Sequence, residues 1–160
     1  MEFDIDVSGE DLLNKNYTIC IANREGIIKG FKFNDELLNI LSARYGQGIY
    51  KYPKSQRGKA TFKVRVYCIV VHYLVKSLNL NNLCLTICND FDGRQKEIKE
   101  ILLFFLNKDK IRSVREIYFS RLSPKSNAHK YAYLMSHDNK NQMKSYLNIS
   151  LEDIERFLRK

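Results

Sequence analysis

The spacing of apolar and polar positions opens the chain with strands. Residues 3–8 alternate with period two, and residues 17–22 and 27–33 are rich in β-branched and aromatic side chains. Asn14, Lys15 and Asn16 form a polar turn between the first two, and Arg24, Glu25 and Gly26 form one between the next two. Three strands joined by short turns predict an antiparallel meander. Asn34 reads as the N-cap of a short helix over residues 35–43, with Asp35 and Glu36 in its first turn. A longer helix is predicted over residues 62–77, where Phe62, Val66, Ile69, Val70, Tyr73 and Leu74 share one face. Residues 44–60, with three glycines and one proline, read as a long loop between them.

Residues 83–93 are the stretch on which the rest is organised. An apolar, β-prone run from Leu83 to Cys88 ends in Asn89, Asp90, Phe91, Asp92 and Gly93. Long apolar segments flank it in sequence, so the strand is expected to be central and buried. Its acids then lie at a sheet edge, where open α/β sheets hold their ligands. A helix over residues 94–106 follows, with Ile98, Ile101, Leu102 and Phe105 on one face. Residues 114–120 read as a strand, and a helix is expected around residues 128–135. Ser150 is set to cap a last helix over residues 151–158, with Asp153 completing a capping box. The pattern is α/β, in one domain over residues 1–160, with the meander leading into parallel strands and helices on both faces.

Charge changes the picture more than composition does. The chain has 160 residues, 44% of them hydrophobic, and a formal net charge of +9. That excess favours a polyanionic partner, DNA or RNA, and no small-molecule cofactor is expected. No apolar run reaches membrane-span length, and the acidic opening Met1-Glu2-Phe3-Asp4 lacks a signal-peptide pattern, so no membrane partner and a cytoplasmic location are expected. The bases are segregated: the 53 residues between Glu36 and Asp90 hold no acid and eight bases, Arg44, Lys51, Lys54, Arg57, Lys59, Lys63, Arg65 and Lys76. A solvated face normally mixes signs. Arg44, Lys51, Lys54, Arg57, Lys59, Lys63 and Arg65 are therefore candidates for phosphate contacts, with Tyr45, Tyr50 and Tyr52 as candidates for base stacking. The plainer reading is a basic surface loop.

The four cysteines, Cys20, Cys68, Cys84 and Cys88, each lie in an apolar run and are expected to be buried thiols. Cys84 and Cys88 share a strand face but lie too far apart to bridge, and no CxxC pair suggests structural zinc. His72, inside an apolar helix, reads as a core histidine, and His137-Asp138 as a helix end.

Acids at the first strand (Asp4, Asp6) and the fourth (Asp90, Asp92) would form a divalent-metal site if the strands lie side by side. The plainer readings are an edge strand and an Asn-Asp turn. The order of elements resembles the ribonuclease H-like superfamily of nucleases and integrases. Asp6-Val7-Ser8-Gly9 looks like the Asp-x-Ser-Gly opening of some less characterised branches, and Asp90 like the fourth-strand aspartate. Asn127-Ala128-His129-Lys130-Tyr131-Ala132 resembles the late-helix pattern Ala-Asp-x-x-Ala, with His129 in place of the last metal-binding acid. The resemblance implies a ribonuclease H-like fold. It also implies a Mg2+- or Mn2+-dependent nuclease with Asp6, Asp90 and His129 catalytic, and with Asp92 completing the ligands. One departure counts against catalysis: the family's helix glutamate has no counterpart in residues 62–77, leaving Glu36 or Asp92 as the candidate replacement. The alternative is a nucleic-acid-binding module on the same fold without chemistry, and a further class is a protein-interaction scaffold.

Overall fold

The computed structural model describes residues 1–159, and its sheet is built around the first strand. β1 (Glu2–Ser8) sends Phe3 and Ile5 into a large apolar cluster and turns Asp4, Asp6 and Ser8 to the opposite face. β2 (Thr18–Ala22) pairs antiparallel with β1, setting Cys20 opposite Asp6, and β3 (Ile28–Lys32) pairs antiparallel with β2. On the other side β4 (Leu83–Cys88) runs parallel to β1, and β5 (Val114–Ser120) runs parallel to β4. The order β3-β2-β1-β4-β5 is the expected meander joined to a parallel pair.

β4 is an inner strand, but β1 is the centre. Leu83, Leu85 and Ile87 are buried, each worth about 1.5–3 kcal/mol of apolar burial, while Cys84, Thr86 and Cys88 are only half-buried. Cys20 and Cys68 are buried as expected; Cys84 and Cys88 correct that expectation. The reason is coverage. α4 (Asn127–Ser136) packs over β1, β2 and β3, and the polar face of β4 lies beyond it. The covered part has small side chains, Cys20, Ala22, Ala128 and Ala132, around Met135. At Gly30 of β3 a Cβ would stand 2.6 Å from the Met135 sulfur, so any larger residue there would require the Met135 side chain to move.

The other face carries the larger core. α1 (Asp35–Gly46) starts at Asn34, whose Oδ1 accepts the Leu37 N–H at 2.8 Å. α2 (Gln56–Leu78) is apolar on nearly all sides from Phe62 to Val75 because α3 (Gln95–Lys108), α5 (Leu151–Leu158) and the sheet surround it. The expected loop over residues 44–60 is shorter than the sequence suggests: α1 runs to Gly46 and α2 begins at Gln56, capped by Ser55. Phe62 is the physical reason, since Tyr45 and Tyr50 stack on its ring and Tyr52 leans on it. The close approach of Gly58 to Pro53 closes the loop further, as a Cβ there would lie 2.0 Å from the Pro53 oxygen. At α5 Ser150 and Asp153 form the expected capping box.

Three helices meet at Asp109. It accepts from His72 Nε2 at 2.8 Å, Lys76 Nζ at 3.3 Å and both terminal nitrogens of Arg156. Arg156 and its neighbours hold the Asp109 carboxyl well below the usual range. His72 is buried among Tyr73, Phe105 and Phe157, and burial lowers its pKa although Asp109 opposes this. Residues 137–150 return along the open edge of β3, where Gly30 N–H donates to Ser145 O at 2.9 Å and Leu147 N–H to Gly30 O at 2.7 Å. That covers an otherwise unpaired edge. Asp138 shapes the return by accepting from Gln142 N–H, Met143 N–H and the Tyr146 hydroxyl. Among the described residues no helix is long and apolar enough to cross a membrane.

Candidate functional site

The parallel pairing of β1 and β4 brings their acids together. Asp6 on β1, Cys88 at the end of β4 and Asp90 two residues on each place one ligand atom within 4.8 Å of the others. A strand face explains the set: Asp4 pairs with Thr86, so Asp6 and Cys88, two residues further on, are neighbours on the same face. Asp6 is 3% exposed, and both its oxygens are engaged. Oδ1 accepts the Val7 N–H at 2.8 Å, and Oδ2 faces His129 Nδ1 at 2.9 Å. Each oxygen still has a lone pair free for a cation.

α4 lays a row of polar contacts against β1. Ser126 donates to Asp4 Oδ2 at 2.9 Å, His129 meets Asp6, and the hydroxyls of Ser136 and Ser8 lie 2.9 Å apart. His129 is half-exposed, with Nε2 the ring nitrogen not used on Asp6.

Crowding by protein atoms, and after it the Asp6 charge, push the Asp90 carboxyl up to about 6, although Asp90 keeps an open side to solvent. Cys88 and His129 oppose that shift. The Cys88 thiol is raised to about 11, by burial first and then by Asp90 and Asp6. Two carboxylates and a proton-bearing thiol held this close gain from a cation between them.

The residue that α2 brings toward these acids is Tyr67, not a carboxylate. It is fully buried, its ring lies 4.9 Å from that of Phe91, and burial followed by Tyr17 and Asp90 raises its hydroxyl pKa. Glu36 stands on the first turn of α1, lining a groove with Lys15 and Asn34, and does not join the group. Asp92 is exposed and also lies outside it.

The basic candidates divide in two. Arg44 is tied to Glu155, Lys63 donates to Asp11 at 2.7 Å, and Arg65 donates from Nε to Phe157 O at 3.3 Å. Tyr50 is 1% exposed, donates to Glu155 Oε2 at 2.6 Å and has no ring face left for a base, which corrects its expected stacking role. Lys51, Lys54, Arg57 and Lys59 are exposed and make no ion pair among the described residues. Arg57 and Lys59 lie on the first turn of α2, where no acid complements the helix dipole. Tyr52 and Lys51 line a cavity of about 430 Å³ with Arg65, Phe104, Lys108 and Arg156. Cys88 and Tyr67 were the site residues sequence reasoning missed. The signal that could have found Cys88 is strand geometry: once β1 and β4 pair with Asp4 opposite Thr86, Cys88 falls on the same face as Asp6.

Comparison with known family models, curated proteins and solved structures finds no match.

Proposed function

We propose that this chain is a ribonuclease H-like, divalent-metal-dependent nuclease acting on DNA or RNA. The observation that carries the reading is the Asp6–Cys88–Asp90 cluster, made where two parallel strands place Asp6 inside β1 beside Cys88 at the end of β4 and Asp90 just beyond it. The three-strand meander joined to a parallel pair supports it as well. The donor set fits Mn2+ better than Mg2+, because Mg2+ prefers an all-oxygen octahedron while a thiol and a nearby imidazole suit a softer ion.

Asp6, Cys88 and Asp90 hold the cation. When bound, it supplies an activated water and neutralises charge at the leaving oxygen of an in-line displacement. His129 orients the Asp6 carboxylate through Nδ1, and the Val7 N–H fixes its other oxygen. Tyr17 and Tyr67 lie behind the acids, and their hydroxyls stay protonated because burial raises both pKa values. Lys51, Lys54, Arg57 and Lys59 hold the phosphate backbone.

The test is cleavage of single- and double-stranded DNA, RNA and hybrid substrates with Mg2+ or Mn2+. Asp90→Asn is expected to lose at least about a hundredfold in rate, in line with the loss of a metal ligand. Activity unchanged in that variant contradicts the site.

A second reading, a binding module without chemistry, is favoured by α2, which carries no Asp or Glu along its whole length. Both readings share the basic surface. Changing Lys51, Lys54, Arg57 and Lys59 together to Ala is expected to flatten the slope of log affinity against log salt by roughly 3–4. Salt-sensitive binding without cleavage, and without cation uptake at millimolar concentration, would select the second reading.

A further inference from the structure

The first turn of α4 is left uncapped, and a buried amide without a partner stands beside it. Ser126 occupies the N-cap position but makes no cap hydrogen bond to the helix; its hydroxyl donates to Asp4 instead. No acid lies in the first turn of this ten-residue helix. The backbone N–H groups of Asn127, Ala128 and His129 therefore lack the side-chain acceptor that such a turn recruits. A cavity of about 410 Å³ opens there, lined by Asp4, Asn23, Arg24, Ser123, Lys125, Ser126 and Asn127.

Asn23 is the second, independent sign. It follows β2, is 4% exposed, and uses its Oδ1 to accept the Ile27 N–H at 2.8 Å. Its Nδ2 is buried and has no partner, a state that buried polar atoms rarely keep. Asn127 Nδ2 donates to the Asn23 carbonyl oxygen at 2.8 Å, which fastens this amide to the end of α4. Arg24 and Lys125 are exposed at the cavity and make no ion pair among the described residues. Asp4 is the one acid in the lining, and its Oδ2 is engaged by Ser126. Donors therefore outnumber acceptors: a helix start, an orphan amide, a hydroxyl and two cations.

We infer that this cavity binds a phosphate group, with the uncapped turn of α4, Asn23, Arg24 and Lys125 as its donors. Helix N-termini take such anions because their free N–H groups and dipole point at them. The ligand class rests on the nucleic-acid reading above. The position fits that reading: Asp4 and Asp6 are two residues apart on β1, a step of roughly 7 Å, and Ser126 and His129 contact them from one helix. A phosphate held at α4 thus sits beside the acid cluster, where a nucleic-acid strand approaching Asp6 would place a neighbouring phosphate. The shared chemistry is a tetrahedral phosphate oxyanion, carried either inside a strand or at its 5′ end.

The experiment is a titration of the full chain in EDTA, which removes any role for a metal, followed by amide NMR. Inorganic phosphate is the first probe, and ten-nucleotide single strands with and without a 5′-phosphate are the second and third. Saturable shifts confined to the Asn23 side-chain amide and the backbone amides of residues 127–129 are expected. The double variant Arg24→Ala/Lys125→Ala should weaken phosphate binding at least about fivefold with an unchanged melting temperature, since both residues are exposed. A strand that needs its 5′-phosphate identifies a terminal phosphate; equal binding of both strands, weakened equally by the double variant, identifies a backbone phosphate. Non-saturating shifts spread over surface lysines, or a double variant that binds all probes as the parent does, would overturn the site. Strands that bind normally to the double variant sink this pocket alone. Saturable phosphate binding with no affinity for either strand sinks the nucleic-acid reading and leaves an anion pocket.

Discussion

Asp109 and Asp90 are both aspartates just past a regular element, and the fold treats them in opposite ways. Asp109 follows α3 and is surrounded by Arg156, His72 and Lys76, so its negative charge is matched. Asp90 follows β4 and faces Asp6 and a thiol, so its charge is opposed. The first arrangement joins α2, α3 and α5. The second gives the fold nothing in the absence of a cation. That opposition is what the proposed cation would relieve.

Breaking the matched carboxylate should have the largest effect on stability. Asp109→Asn leaves Arg156 and Lys76 without their anion and disturbs the buried His72, so we expect a loss of about 2–3 kcal/mol. This is below the range for fully buried pairs because Arg156 and Lys76 are partly open to solvent. In a thermal melt near neutral pH that is a fall of roughly 5–10 °C. A melt unchanged by Asp109→Asn would remove the contrast on which the comparison rests.

The opposed carboxylate should behave inversely, and more weakly. Asp90 titrates near 6 in the fold against 3.8 as its reference value, so the folded state binds this proton more tightly than the unfolded chain. Its ionisation thus opposes folding fully above about pH 6, and the opposition fades as pH falls toward 4. Metal-free Asp90→Asn is expected to be more stable than the parent at pH 7 by a few tenths of a kcal/mol, since solvent screens the open side of Asp90. The difference should vanish near pH 4. Asp109 has the reverse sign: its carboxyl is lowered in the fold, so its contribution is complete above the unfolded value and is lost only as pH falls below about 4 toward its folded pKa. Melts of the parent and Asp90→Asn from pH 4 to 8 check this, and a destabilised Asp90→Asn at pH 7 would contradict it.

Much of this was legible in the residues. Alternation in residues 3–8 placed β1, the apolar, β-prone run over 83–88 placed β4, and Asp6 and Asp90 came together once the two strands paired in parallel. Ser150 and Asp153 were readable because a capping box is local chemistry. What failed to show was set by distant partners. Tyr50 looked like an exposed aromatic in a basic loop, and only the Phe62 ring and Glu155, 105 residues away, bury it. Cys88 looked like a core thiol, and it is half-buried only because α4 stops short of β4. His137-Asp138 read as a helix end, and α4 does end there; what did not show is that Asp138 also turns the chain back onto β3 through three hydrogen bonds.

The central claim is that Asp6, Cys88 and Asp90 hold a divalent cation, and the direct measurement is Mn2+ binding followed by electron paramagnetic resonance. The parent protein and Asp109→Asn should both take up Mn2+ saturably, with affinity rising as pH passes upward through 6 and Asp90 ionises. Asp90→Asn should lose that binding at every pH. Mn2+ uptake that is absent from the parent, or identical in Asp90→Asn, would contradict the account.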